Sequence, residues 1–184
     1  ALVQRYNTDL ANGYGNLVSR TLNMINQFSD GKISEMENIE YPSDFSDTWK
    51  LILAALESPE KLDFADQLNW LSRKVAALDG YLTSQAPWKR AKVGLLEDIA
   101  VVKSQLSRVA DAIRIITAQF YPVMPHATAK VWAQLGLGDI EDAARKGELK
   151  DLQWGGLKPG TKLGPLAPIF PRADKGLIQI MNDL

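Results

Sequence analysis

Two small groups of side chains in this 184-residue chain have the types and spacing to do chemistry. Asn16 and Arg20 stand four residues apart in a helical stretch, so they share one face. A carboxamide and a guanidinium side by side on a rigid helix form a comb of hydrogen-bonding groups suited to the edge of a nucleobase. A solvated pair, or an Arg20 bonded to a nearby carboxylate, accounts for the same spacing. The second group is Pro87-Trp88-Lys89-Arg90-Ala91-Lys92. A Trp directly after a Pro at a helix start is held stiffly. With its ring open to solvent it offers a flat face to an unpaired base, with cations alongside for phosphates. Such stacking is worth about 1–3 kcal/mol per base. The alternative is an indole that plugs the end of a helix bundle.

Covalent and metal chemistry find little support elsewhere in the chain. There is no Cys and one His, which removes disulfides, thiol nucleophiles and thiolate metal sites and makes a His-based cluster unexpected. His126, after Met124-Pro125, reads as a capping or surface residue. Asp44, Asp47, Asp63 and Asp66 are scattered over turns and first helical turns, where carboxylates favour the helix dipole; they form no acid/base pair. Gly155-Gly156 and Gly160 lack the Gly-x-x-x-x-Gly-Lys-Ser/Thr spacing of a phosphate loop. Neither a catalytic residue nor a metal ligand is therefore expected. Trp49, Trp70, Trp132 and Trp154 are read as packing residues, Trp70 at the edge of the core.

The elements that must hold these groups are helices. Residues 2–28 form one apolar stripe through Leu10, Tyr14, Leu17, Thr21, Met24 and Phe28. Gly13 and Gly15 interrupt it, each weakening a helix by about 1 kcal/mol relative to Ala, so they mark a kink or a close backbone approach. Asp30-Gly31 stops this helix. A second is expected over Asp47 to Leu56. Ser58-Pro59-Glu60 starts a third, with the hydroxyl as cap and the Pro in the first turn. It runs to about Ser84 with Leu68, Leu71, Val75, Leu78 and Leu82 on one face. Pro87 pushes Ala86 out of the helical region. A long helix from about Lys89 to Phe120 follows, its stripe being Leu95, Ile99, Val102, Leu106, Val109, Ile113, Ile116 and Phe120. Pro122 and Pro125 end it, Ala127 to Leu135 is closed by Gly136, and Asp139 to Arg145 is one more short helix.

After residue 150 the composition changes: five Gly and four Pro fall in the last 34 residues, against eight and five before. This segment reads as an extended strap ending in a short helix near Asp174 to Met181. The expected fold is all-α, an antiparallel bundle over 1–149 with a C-terminal strap over 150–184. With 46% apolar and 23% charged residues, the chain is too apolar for a disordered tail. No run approaches the ~18 apolar residues of a membrane span, and the first residues lack a signal-peptide layout. The net charge of −1 provides no general attraction for nucleic acid, so such a site has to be a local patch.

Several strings, taken together, resemble one family. Arg5-Tyr6-Asn7-Thr8-Asp9-Leu10-Ala11-Asn12 with Gly15-Asn16-Leu17-Val18-Ser19-Arg20-Thr21 resembles the opening helix of the anticodon-binding domain of methionyl-tRNA synthetases. Gln85-Ala86-Pro87-Trp88-Lys89-Arg90-Ala91-Lys92 resembles that family's Pro-Trp-x-x-Ala-Lys element. Tyr121-Pro122-Val123-Met124-Pro125, then Val131-Trp132 and Gln134-Leu135-Gly136, resembles its Pro-x-Met-Pro…Ile-Trp…Leu-Gly segment. Pro168-Ile169-Phe170-Pro171-Arg172 resembles its closing Pro-Leu-Phe-Pro-Arg. These strings follow the family's order across nearly the whole chain.

The resemblance implies a class I synthetase anticodon domain whose partner is the anticodon stem-loop of a methionine tRNA. It implies that Asn16 and Arg20 read the anticodon and that Trp88, on the turn shaped by Pro87, stacks on its first base, the cytosine of CAU. Lys89, Arg90 and Lys92 are candidate phosphate contacts, from charge and proximity alone. Two strings depart from the family: Asp79-Gly80-Tyr81 stands where Asn-x-Tyr is common, a change expected to alter the loop that positions Trp88, and Gly13-Tyr14 replaces a frequent Asp-Leu. The catalytic signatures of the His-Ile-Gly-His and Lys-Met-Ser-Lys-Ser types, the metal-binding knuckle and the C-terminal tRNA-binding barrel are absent. The chain is therefore expected to be a non-catalytic piece of a longer cytoplasmic ligase. It needs no cofactor itself; ATP, and zinc where a knuckle is present, belong to the catalytic part. That part is its other expected partner, onto which the strap should pack as well as onto the bundle. Neither membrane nor DNA is an expected partner. The competing readings are the anticodon domain of a cysteine, valine, leucine or isoleucine synthetase, and a helical protein-interaction module.

Overall fold

Short-range backbone chemistry sets most of the helix ends. The computed structural model of the chain describes residues 13–36, 64–150 and 152–170. Six α-helices lie there and, among the described residues, no β-strand: α1 (Asn16–Ser29), α2 (Phe64–Gln85), α3 (Pro87–Val93), α4 (Leu96–Phe120), α5 (Pro125–Gln134) and α6 (Ile140–Arg145). Residues 2–12 of the first expected helix, the helix over Asp47 to Leu56, the Ser58-Pro59 start and the terminal helix near Asp174 lie outside the described residues. So do Trp49, Asp44, Asp47, Asp63 and Pro171-Arg172.

A π-helical turn over residues 13–15 leads into α1, which is the kink that Gly13 and Gly15 marked. Between them Tyr14 is buried, its hydroxyl 2.6 Å from Thr117 Oγ1 and its ring 5.3 Å from that of Phe120. Burial raises the Tyr14 phenol well above its ordinary pKa. Beyond this turn Leu17, Val18, Thr21, Leu22 and Ile25 point inward. Met24 and Phe28, expected in the stripe, are only partly buried. Asp30 and Gly31 take left-handed φ of 50° and 66° and end the helix.

Ala86 is left-handed, with φ 42° and ψ 55°, and Pro87 starts α3. The pyrrolidine ring disfavours the right-handed helical region for the preceding residue, so α2 cannot continue into α3. The single long helix expected from Lys89 is in fact two. Gly94 takes φ 78° and Leu95 is extended, separating α3 from α4. Gly has no Cβ penalty in the left-handed region and is a weak point within a helix. Leu95, expected at the head of the stripe, is 60% exposed. From Val101 onward α4 is buried nearly all round, as befits a central helix: it packs against α1, α2, α3 and α5. Beyond Phe120 the Pro-rich turn restarts the chain as α5, Gly136 closes it, and the Asp139 carboxylate caps α6 by accepting from the Glu141 N–H at 2.8 Å.

Residues 152–170 carry no helix or strand and lie along the bundle. Ile33 N–H donates to Thr161 O at 2.9 Å, Gly160 N–H to Ile33 O at 2.8 Å and Leu163 N–H to Gly31 O at 2.8 Å. Gly136 must lack a side chain, because a Cβ there would strike the Lys162 carbonyl. The deepest attachment is ionic. The buried Asp111 carboxylate accepts from Arg114 Nε at 2.6 Å, from Gly155 N–H at 2.6 Å and from Leu157 N–H at 2.9 Å, while Arg114 Nη2 donates to Gln153 O at 2.6 Å. Leu157 and Ile169 complete the attachment by entering the core. Among the described residues no helix is long and apolar enough to cross a membrane.

Candidate nucleic-acid interface

At one end of the bundle α1, the last turns of α2 and the first turn of α3 bring Arg20, Asp79, Thr83 and Trp88 together. Burial of Leu17, Val18 and Thr21 fixes the rotation of α1, and burial of Leu78, Tyr81 and Leu82 fixes that of α2. Arg20 on one helix then faces Asp79 and Thr83, one turn apart on the other. Arg20 Nη1 donates to Asp79 Oδ1 at 2.6 Å, and Nη2 lies 3.5 Å from Thr83 Oγ1. The same guanidinium stands over the Trp88 ring, 5.5 Å from its centroid, within the ~6 Å reach of a cation–π contact. Trp88 is half-buried while Pro87 is buried. The indole is therefore fixed at its base and open in part, rather than sealed inside as a plug.

The remaining sequence-predicted residues surround this cluster unevenly. Asn16, one turn before Arg20 and at the first position of α1, is exposed. Lys89 and Lys92 are exposed on α3. Arg90 is half-buried and turned toward α4, with Nε 3.7 Å from Asp98 Oδ1. This ion pair spans the Gly94 corner at more than hydrogen-bond length, so Arg90 is less available to a phosphate than its two neighbours.

Residues 79–81, where the sequence departs from Asn-x-Tyr, lie inside α2, within the helix expected to run to about Ser84. The effect of Asp79 is direct: its carboxylate holds Arg20. The i,i+4 spacing of Asp79 and Thr83 was the available signal for a shared face.

The other candidates are packing or surface residues. His126 is exposed. Trp70 is 9% exposed with Lys74 Nζ 5.1 Å from its ring centroid, and Trp132 is buried beside Ala118, Ile140 and Ala143. Trp154 packs against the core from the strap. Among the described residues no three His, Cys, Asp or Glu side chains are grouped to hold a metal ion. The chemistry this cluster can perform is non-covalent: a rigid aromatic plate, a guanidinium and a carboxylate at its rim, and exposed lysines nearby.

Methionine–tRNA ligases are among the known proteins with similar sequences. The chain is 32% identical over 176 residues to the methionine–tRNA ligase of Lactiplantibacillus plantarum, covering 94% of this chain and 25% of that protein. It is 32% identical over 185 residues to that of Caldanaerobacter subterraneus (95% and 26%) and 30% identical over 180 residues to that of Bacillus subtilis (94% and 26%). The free form of Mycobacterium tuberculosis methionyl-tRNA synthetase superposes with a TM-score of 0.74 at 25% identity, over 94% of this chain and 34% of that one. No protein-family model matches. The chain thus spans about a quarter of the length of the curated relatives it matches.

Proposed function

From a chain homologous to one segment of the methionine–tRNA ligases, we propose a module that reads the CAU anticodon of the methionine tRNA. The observation that carries this reading is the half-buried indole of Trp88 with Arg20 held over it. The first anticodon base stacks on Trp88, while Arg20 and Asn16 inspect its Watson–Crick edge. Stacking supplies affinity without choice, since every base has an aromatic face. The polar comb supplies choice: a wrong base leaves a donor or acceptor unpaired, at about 1–3 kcal/mol. Lys89 and Lys92, exposed on α3, meet backbone phosphates in this reading, with Arg90 in reserve behind its Asp98 contact.

In this reading the segment performs no covalent step and needs no cofactor. A catalytic domain elsewhere in a cytoplasmic ligase uses ATP to attach methionine, and the strap over 150–184 packs on that domain as well as on the bundle. The test is titration of a CAU stem-loop RNA by fluorescence anisotropy at several salt concentrations. Affinity is expected to fall with rising salt, as phosphate contacts require. Trp88→Ala should lose roughly ten- to a hundredfold in affinity, whereas Trp70→Ala should lower the melting temperature instead. Equal binding by wild type and Trp88→Ala, or indifference to the first anticodon base, overturns the proposal.

A further inference from the structure

We infer that Asp79 keeps this site closed in the free protein: it tethers Arg20 over the Trp88 ring, and an incoming base must displace the guanidinium to stack there. The inference rests on the anticodon-reading function proposed above and adds the state in which the site waits. Arg20 Nη1 donates to Asp79 Oδ1 at 2.6 Å, and Nη2 lies 3.5 Å from Thr83 Oγ1. Both terminal nitrogens of the guanidinium are thus directed at α2. A charge-assisted bond this short is among the stronger side-chain contacts. It fixes a long side chain that would otherwise spread over many rotamers. Held this way, the guanidinium carbon stands over the indole, 5.5 Å from the ring centroid.

That position conflicts with a stacked base. Atoms in contact across stacked rings lie about 3.5–4.0 Å apart. A base centred on this face of the indole would therefore overlap a guanidinium 5.5 Å from the ring centroid. Arg20 and the base take turns on the face. The closing contact is also weak enough to open. The Arg20 and Asp79 side chains are 29% and 37% exposed, so water screens the pair, and exposed ion pairs and cation–π contacts are each modest. Once released, Arg20 swings to the rim, where its N–H donors are free for the edge of the base. Asp79 is thus a positioning residue that acts on RNA through Arg20. Because only the open fraction of the protein binds, the tether weakens the apparent affinity by that fraction.

The experiment titrates the CAU stem-loop into wild type, Asp79→Ala, Asp79→Asn and Glu97→Gln. Glu97 is exposed in the first turn of α4, so its substitution measures what one fewer negative charge next to α3 does for binding a polyanion. Asp79→Ala should bind about two- to fivefold more tightly than wild type, the equilibrium share of an exposed ion pair, and more tightly than Glu97→Gln. The gain should be smaller in Asp79→Asn, whose amide oxygen still accepts from Arg20 but carries no charge. A merely structural ion pair would lower the melting temperature and leave RNA binding unchanged or weaker. A second readout is the NMR signal of the Arg20 side-chain protons. The indole ring current should shift them upfield in free wild type, and that shift should be lost in Asp79→Ala and when RNA saturates the site. Equal binding by Asp79→Ala and Glu97→Gln, no gain in Asp79→Ala over wild type, or an Arg20 shift that persists in the RNA complex overturns the inference. If Trp88→Ala still loses binding in any of those cases, the anticodon reading survives. If Trp88→Ala binds as wild type does, both are overturned. The comparison of free and RNA-bound wild type needs no variant, so a failure of Asp79→Ala to fold leaves the inference falsifiable.

Discussion

Arg20 meets Asp79 at 2.6 Å, and Arg114 meets Asp111 at the same 2.6 Å, but the two pairs live in opposite surroundings. The first joins residues 59 positions apart on two helices, with side chains 29% and 37% exposed. The second joins neighbours one turn apart on α4, with side chains 6% and 0% exposed, and the strap closes over it. Attraction at fixed distance grows as the effective dielectric falls, while the cost of stripping water grows with it. The Asp111 carboxylate can therefore persist only because Arg114, Gly155 and Leu157 all donate to it. The Asp79 carboxylate stays partly solvated. Identical groups at identical separation hold a strap in one place and bridge two helices near the surface in the other, and burial makes the difference.

Four substitutions break or sharpen this contrast. Asp111→Ala should have the largest effect. It leaves the Arg114 guanidinium buried without its anion and orphans the Gly155 and Leu157 N–H groups, so urea unfolding should show a loss of about 3–5 kcal/mol. Limited proteolysis should then cut near Gly155-Gly156. Gly156→Ala tests the same latch from the strap side: the added methyl would overlap the Arg114 guanidinium, and overpacking of this kind costs about 1–3 kcal/mol.

Tyr14→Phe probes a buried polar group outside both pairs. Loss of the Thr117 contact should cost about 1 kcal/mol near neutral pH. The pH dependence has a definite sign. The folded-state pKa of Tyr14 is raised above its ordinary 10.0. The neutral buried phenol therefore confers its full stability below pH 10, and that contribution falls as rising pH ionises the unfolded chain first. Tyr14→Phe should remove this part of the alkaline loss in a series of denaturation midpoints. Asp79→Ala should be the smallest, about 0–1 kcal/mol for an exposed pair and less still in high salt. A loss from Asp79→Ala as large as that from Asp111→Ala would erase the distinction between the buried latch and the exposed pair.

Much of the helical layout was legible where backbone chemistry is local. Asp30-Gly31, Ala86-Pro87, the Pro122 to Pro125 turn and Gly136 all end or begin helices where expected, because φ preferences and a missing N–H act within a few residues. Gly94 was passed over for a related reason. One Gly costs only about 1 kcal/mol in a helix, and the apolar stripe begins at Leu95, just beyond it, so periodicity alone could not show that α3 and α4 are separate. At the site, Trp88 and Arg20 were legible as types and spacings. Asp79 was not, since no local rule connects it to a residue 59 positions away. The Asp111–Arg114 pair went unread as well: its i,i+3 spacing is common on exposed helix faces, and only burial makes it consequential.

Alone, the order of residues determined an all-α chain, most of its helix ends, and an indole stiffened by the Pro before it, because period and backbone torsions are settled within a turn or two. Which carboxylate Arg20 takes, how much of the Trp88 ring stays open, and which Arg–Asp pair the strap covers were decided only by the tertiary structure. Those outcomes follow from the rotation and crossing of whole helices as Leu17, Val18, Leu78 and Leu82 pack into one core, a collective property that no single segment encodes.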